Sequence, residues 1–173
     1  AHREPQFAVA ARIAALAHAD HLTRDHGLPH DPFKALVVPR PIGWIGTRSR
    51  SERPTLAPYS FFNAVGYNPP KVMFSGDPRD SVTNARESGV FAVNIVEEAS
   101  WRLMNETSAR LPRGTDEFAA VGVAKAECHE IDCPRVANAP ATLECRVIQI
   151  VDLPGNDHMV IGEVVGIHMR DDC

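Results

Sequence analysis

The segments PRPIGWIGTRS (39–49), LAPYSFFNAVGYNPPKVMFS (56–75), RDSVTN (79–84) and GVFAVN (89–94) decide how this chain reads. Apolar, strand-like runs alternate there with short stretches of Ser, Thr, Asn and Arg. Hydroxyls, amides and guanidinium groups therefore stand at the ends of otherwise apolar elements. That pairing suits a ligand with a flat apolar ring system at one end and an anionic phosphate at the other.

Outward from this stretch, strands are predicted at residues 35–38, 42–47, 72–75, 90–96, 142–151 and 159–169. In the fifth, Leu143, Cys145 and Val147 alternate with Glu144 and Arg146, with Gln149 close behind. A helix is predicted between the third and fourth strands. Asp80 or Ser81 caps its start, Val82 and Ala85 face inward, and Gly89 ends it. A second helix is predicted over 98–110, with Trp101, Leu103, Met104 and Thr107 on its buried side, and one short turn over 116–121. Strands with helices interspersed, not alternating one for one, predict a mainly β fold: an antiparallel barrel with helical inserts. Barrel closure removes the exposed edges that strands otherwise present. No GxGxxG follows a strand, which argues against a Rossmann unit. Residues 1–25 read as an amphipathic helical extension with Val9, Ile13, Leu16 and Ala17 at helical spacing, outside a main domain over 26–173. Acidic Glu4, Asp20 and Asp25 argue against a transit peptide there.

Composition narrows the function. The 173 residues fit one ordinary domain, and 44% hydrophobic with 23% charged residues supplies a normal core. With 18 Lys+Arg against 22 Asp+Glu, the net charge is -4, so no basic face for nucleic acid is expected. An acidic surface also repels anionic lipid, and no apolar run approaches the ~18 residues of a membrane span. The 14 prolines imply turns, edges and loops. Cys128, Cys133, Cys145 and Cys173 match neither a secreted disulfide scaffold nor paired metal knuckles, so no metal centre is expected. Reduced thiols point to a cytoplasmic location, with Cys145 a small core residue.

Three groups of residues can carry chemistry. Thr47, Arg48 and Ser49 directly follow a strand, while Arg79, Asp80 and Ser81, with Asn84, open a helix whose first turn has unpaired N–H groups. Together these two turns can hold a phosphate dianion, with Arg48 or Arg79 supplying charge. Each is also ordinary turn and cap chemistry. Ala57, Pro58, Tyr59 and Ser60 form a segment stiffened by Pro58, able to lie along a planar heterocycle, with Ser60 and Asn63 adding side-chain bonds. Trp44, Tyr59, Phe61 and Phe62 can wall that cavity, although close-set aromatics also serve as plain core. His158 follows the turn Pro154-Gly155-Asn156-Asp157 and can reach into a cleft to orient a substrate. His129 and His168 read as structural. No GxSxG elbow, HExxH helix or P-loop is present, so hydrolases and nucleotide triphosphatases lack their reagents.

The ordered set HGLPHDPFKALVVPRPIGWIGTRS (26–49), LAPYSFFNAVGYNPPKVMFS (56–75), RDSVTNARESGVFAVN (79–94), LPRGTDEFAAVGV (111–123) and NDHMVIGEVVGIH (156–168) resembles the flavin reductase-like, FMN-binding split-barrel family. The resemblance covers about residues 26–170. It implies a six-stranded Greek-key barrel, a homodimer, and FMN (or FAD) at or near the subunit interface. It places Thr47 and Arg48 at the turn approaching the flavin, and Ala57, Pro58, Tyr59, Ser60 and Asn63 along the ring. Arg79, Asp80 and Ser81 fall on the family's Lys-Asp-Thr-like phosphate motif, with Arg79 keeping the charge but not the shape of Lys. Trp44, Ser75 and Asn84 complete the expected cofactor contacts. His158 matches a histidine set near the nicotinamide in members that oxidise NADH or NADPH.

The implied activity is an NAD(P)H-dependent flavin oxidoreductase passing reduced flavin, or electrons, to a partner monooxygenase or other acceptor. The alternative is a non-catalytic FMN electron carrier without its own NAD(P)H site. Family members often continue past the last strand seen here, so the resemblance also implies C-terminal truncation or cover by the N-terminal helix.

Overall fold

The computed structural model describes residues 32–51 and 53–173. The helix expected over 1–25 lies outside the described residues. The chain divides into two compact units, Ala1–Pro39 and Arg40–Cys173. The first contains one described element, helix α1 (Pro32–Leu36). A strand was expected at 35–38, but Pro32 occupies the first helical position, where its fixed φ and missing N–H favour a helical turn.

The second unit is built on strands β1 (Gly43–Arg48), β2 (Pro54–Tyr59), β3 (Phe62–Gly66), β4 (Lys71–Gly76) and β5 (Val90–Asn94). A small hairpin of β6 (Lys125–Glu127) and β7 (Pro134–Val136) precedes two long strands, β8 (Ala141–Leu153) and β9 (Asp157–Met169). Seven strands form one antiparallel sheet in the order β2-β1-β5-β8-β9-β4-β3. Its two end strands, β2 and β3, are separated in the chain only by Ser60 and Phe61. A sheet whose opposite ends are joined by so short a link must curl back on itself. β2 and β3 are then the two arms of one bent strand, and the count becomes the six of the expected barrel. The fold is the mainly β split barrel. Neither β2, β3 nor the β6–β7 hairpin was foreseen as a strand: β2 carries Pro54 and Pro58, β3 carries Asn63 and Gly66, and β6 and β7 are only three residues each.

Ile45, Phe74, Phe91, Val93 and Val160 fill the barrel with no exposed surface. Phe74 meets Phe91 edge-on at 5.1 Å between ring centres. Gly162 permits this packing, since a Cβ there would sit 2.5 Å from the Phe91 ring. Helix α2 (Asp80–Ser88) closes one side, burying Val82 and Ala85 as expected. Gly89 ends it in the left-handed region at φ 76°, its N–H donating to Ala85 O at 3.0 Å. Its N-cap is Arg79 rather than Asp80 or Ser81, and no side chain caps the start.

A second core lies behind β1: Trp44, Leu56, Phe118, Val123 and Val136. It is covered by the β6–β7 hairpin and by α4 (Glu117–Val121), the short turn expected at 116–121, whose start Asp116 caps. Helix α3 spans only Trp101–Glu106. Of its expected buried face, Trp101 is 48% and Leu103 37% exposed, while Met104 and Thr107 pack inward. Six residues are too few for a full inward stripe.

Candidate functional site

Alternation along β1 sorts its side chains between the two cores. Ile45 and Thr47 face the barrel and α2, whereas Trp44, Gly46 and Arg48 face the hairpin side. Thr47 pairs across the strands with Thr55, their hydroxyls sharing a hydrogen at 2.6 Å. Asn84 Nδ2 donates to both, at 3.1 Å to Thr47 and 3.3 Å to Thr55. All three residues are almost wholly buried, so this knot ties β1, β2 and α2 together with both hydroxyls and the amide nitrogen hydrogen-bonded.

The knot floors a hollow of 370 Å³. The β1–β2 loop supplies Ser49, Arg50, Ser51 and Arg53 to one wall, and α2 supplies Asp80 and Glu87 to the other. Arg113 and Gly114 close the rim. Asp80 is held there as an acceptor: Gly114 N–H donates to it at 2.7 Å, and Arg113 Nε stands 3.4 Å away. Three guanidinium groups against two carboxylates leave the hollow with a surplus of positive charge.

One turn toward the start of α2, the phenol of Tyr59 lies beside the buried Ser81. Burial pushes that phenol above its ordinary range, and the nearby Ser81 hydroxyl only partly offsets the rise. The Tyr59 ring rests on Phe74 at 4.8 Å and closes so tightly on Gly76 that a Cβ there would lie 2.9 Å from it. Gly76 in turn pairs with His158 across β4 and β9, following the Ser75–Met159 pair. Ser81, Tyr59, Gly76 and His158 thus form one unbroken line of contacts along an end of the barrel.

His158 is oriented in place. Its Nδ1 donates to Asp152 at 2.7 Å, and Arg86 from the last turn of α2 donates to the same carboxylate at 2.7 Å. Arg86 and then His158 hold the Asp152 carboxyl below its usual range. A neutral His158 therefore carries its proton on Nδ1 and keeps Nε2 as an acceptor.

The remaining expected residues fall into three places. Ala57, Pro58 and Ser60 are partly exposed on the outgoing arm of the bent strand, and Asn63 is exposed on the other arm, bonded to Ala64 N–H at 2.9 Å. Arg79 lies at the uncapped start of α2, where Asp77 takes its guanidinium at 2.8 Å. Trp44 and Arg48 stand apart. Trp44 is 1% exposed in the second core and donates through Nε1 to Thr107 at 2.9 Å. Arg48 is bonded to Glu127 and lies 3.3 Å from Asp132. Burial lowers its pKa, but the Glu127 bond together with the charges of Glu127 and Asp132 outweighs that and leaves it raised. Phe62 is barrel core, and Phe61 is 36% exposed at the bend. Thr55, Arg53 and Arg113 were not foreseen. The run RSRSERPT (48–55) carried a signal in its density of Arg and Ser, and Arg113 in its place within LPRGT (111–115).

The donor set suits a flavin mononucleotide. The uncapped α2 start and nearby hydroxyls can accept a phosphate, and the arm from Ala57 to Ser60 offers a stiff, partly apolar wall.

A protein from Deinococcus radiodurans with no described activity is 43% identical over 149 residues; the match covers 80% of this chain and 65% of that protein. Nitrilotriacetate monooxygenase component B from Bacillus cereus is 29% identical with a TM-score of 0.81, covering 90% of this chain and 81% of its own. The 2-nitrobenzoate 2-nitroreductase of Pseudomonas fluorescens is 31% identical with a TM-score of 0.76, over 84% and 75% of the two chains. The flavin reductase like domain matches residues 35–173. On that match, together with its closed antiparallel barrel, this chain belongs to the flavin reductase-like family.

Proposed function

We propose that this protein is an FMN-binding oxidoreductase that takes hydride from NADH or NADPH and passes reduced flavin, or electrons, to a partner oxygenase or another acceptor. The reading rests chiefly on the line Ser81–Tyr59–Gly76–His158, which joins an open helix start to an oriented histidine across a stiff wall. Ser81 and the free N–H groups of α2 bind the phosphate, while Ala57, Pro58, Tyr59, Ser60, Asn63 and Ser75 position the ring. FAD is accommodated if the hollow beyond Asn84 receives its second phosphate. A bound flavin supplies the hydride-accepting ring; the chain supplies position and electrostatics. Alignment alone can remove roughly 7–11 kcal/mol of barrier in favourable cases, so no acid–base pair is needed. Asp152 and Arg86 fix His158, which orients the nicotinamide through Nε2.

The proposed working unit is a homodimer. On and just beyond the β3 arm, Val65 is 50% and Tyr67 93% exposed, a surface suited to a second copy. A Bacillus cereus neighbour named as a monooxygenase component supports an oxygenase as acceptor. Free thiols at all four cysteines fit a reducing compartment such as the cytoplasm. Among the described residues no helix is long and apolar enough to cross a membrane.

Anaerobic mixing of FMN-loaded protein with NADH or NADPH tests the reading. Rapid bleaching of the flavin absorbance is expected. A flavin that stays oxidised yet accepts electrons from dithionite makes the protein an FMN electron carrier instead.

A further inference from the structure

The β6–β7 hairpin holds two thiols that the proposed reaction does not use. Glu127 pairs with Pro134, so Cys128 and Cys133 are the next residues opposite each other in this antiparallel register. Cys128 N–H donates to Cys133 O at 3.0 Å, continuing the ladder by one bond, while Cys133 N–H turns to Ile131 O. Opposed residues at a hydrogen-bonded antiparallel position have Cα atoms about 5.5 Å apart. That spacing falls inside the roughly 4.4–6.8 Å that a disulfide spans.

Opposed residues share a face, and both thiols pack into one small cluster with Ala92 and Ile131. Their accessibilities differ in a useful way: Cys128 is partly exposed and Cys133 has no exposed surface. Cys133 Sγ–H donates to Gly46 O at 3.2 Å, which docks the hairpin on β1.

We propose that Cys128 and Cys133 are a peroxide-oxidised pair that closes reversibly into a disulfide across the hairpin. The partly exposed Cys128 thiolate attacks hydrogen peroxide, the O–O bond breaks, and sulfenic acid and hydroxide form; a proton turns the hydroxide to water. The Cys133 sulfur then displaces hydroxide from the sulfenic sulfur, which leaves as a second water on taking the Cys133 proton. In sum, two thiols and one peroxide become one disulfide and two waters. Closure withdraws Cys133 Sγ–H from Gly46 O, so the hairpin's grip on β1 changes with redox state. Only the source of peroxide, reduced flavin meeting oxygen, rests on the proposed function.

The test uses the whole protein with added hydrogen peroxide, followed by intact mass, alkylation after denaturation, and peptide mapping. The expected result is the loss of two hydrogen atoms, a mapped 128–133 link, and alkylation falling from four thiols to two. Dithiothreitol restores all four. In Cys128→Ser the loss disappears and Cys133 remains alkylated. Oxygen addition at Cys128 without pairing, or a link from Cys128 to Cys145 or Cys173, overturns the proposal. FMN with NADH in air, in place of peroxide, should form the same link. If added peroxide makes the link and the aerobic mixture does not, the pair stands and the reductase reading fails.

Discussion

The two faces of β1 differ in what their polar residues are for. Thr47 and Arg48 are neighbours in the chain, yet Thr47 is knotted to Thr55 and Asn84 beneath the hollow. Arg48 points the other way and is spent on Glu127 and Asp132 of the hairpin loop. Proximity in sequence to a donor-rich turn is thus no guide by itself. Strand parity decides which side chain can reach the site.

On this division, substitutions on the hairpin face should damage stability and leave flavin binding nearly unchanged, and those on the α2 face should weaken flavin binding as well. Gly46→Ala is the harshest case. Its Cβ would lie 2.5 Å from Pro134 O, a backbone atom that cannot swing aside. Overpacking of this kind costs on the order of 3 kcal/mol, read by chemical denaturation. Asn84→Ala should cost about 2 kcal/mol by removing two buried bonds, and should also weaken FMN binding about tenfold. Unchanged FMN affinity there would separate the knot from the site.

His158→Ala sharpens the same division. NAD(P)H turnover, followed by flavin bleaching, should fall about tenfold while FMN affinity holds. Loss of FMN instead would move His158 into the cofactor's own contacts.

Acid should act on the hairpin face through Glu144, which is 1% exposed and accepts from His129 N–H, Glu130 N–H and His168. Burial raises its pKa, but these donors win and hold it below the ordinary 4.5. A depressed folded pKa gives stability that is complete above 4.5 and is lost as pH falls through the lower folded value. Denaturation midpoints of Glu144→Gln should therefore vary less with pH below 4.5 than those of the unsubstituted protein. Smallest of all is Arg48→Ala. Its partners Glu127 and Asp132 are 59% and 84% exposed, so less than about 1 kcal/mol and less than about threefold in FMN affinity are expected. A large loss of FMN there would break the separation of the faces.

What could be read from sequence follows the range of the forces involved. Helix α2 and its end at Gly89 were legible because periodicity and a left-handed glycine are local signals. The alternation in β8 was legible for the same reason. The bent strand was seen only as extended backbone over 57–60, since Pro54 and Pro58 on one arm and Asn63 and Gly66 on the other depart from strand composition. Residues 35–38 misled because apolar, β-branched composition carries no helix-start information, whereas Pro32 does. Near the hollow, the two donor-rich turns at 47–49 and 79–81 were legible as turns, and Ser49 and Asp80 from them line it. The hollow was not, because Arg53 and Arg113 are brought together by folding, 60 positions apart.

Fluorescence titration with FMN, set beside riboflavin, addresses the α2 face most directly. One FMN per subunit should bind saturably, with riboflavin at least about tenfold weaker, since a phosphate at an open helix start adds charge-assisted bonds worth ~1.4 kcal/mol or more. Equal affinity for the two, or no saturable binding of either, would contradict the assignment of the α2 start and its neighbours as the flavin phosphate site.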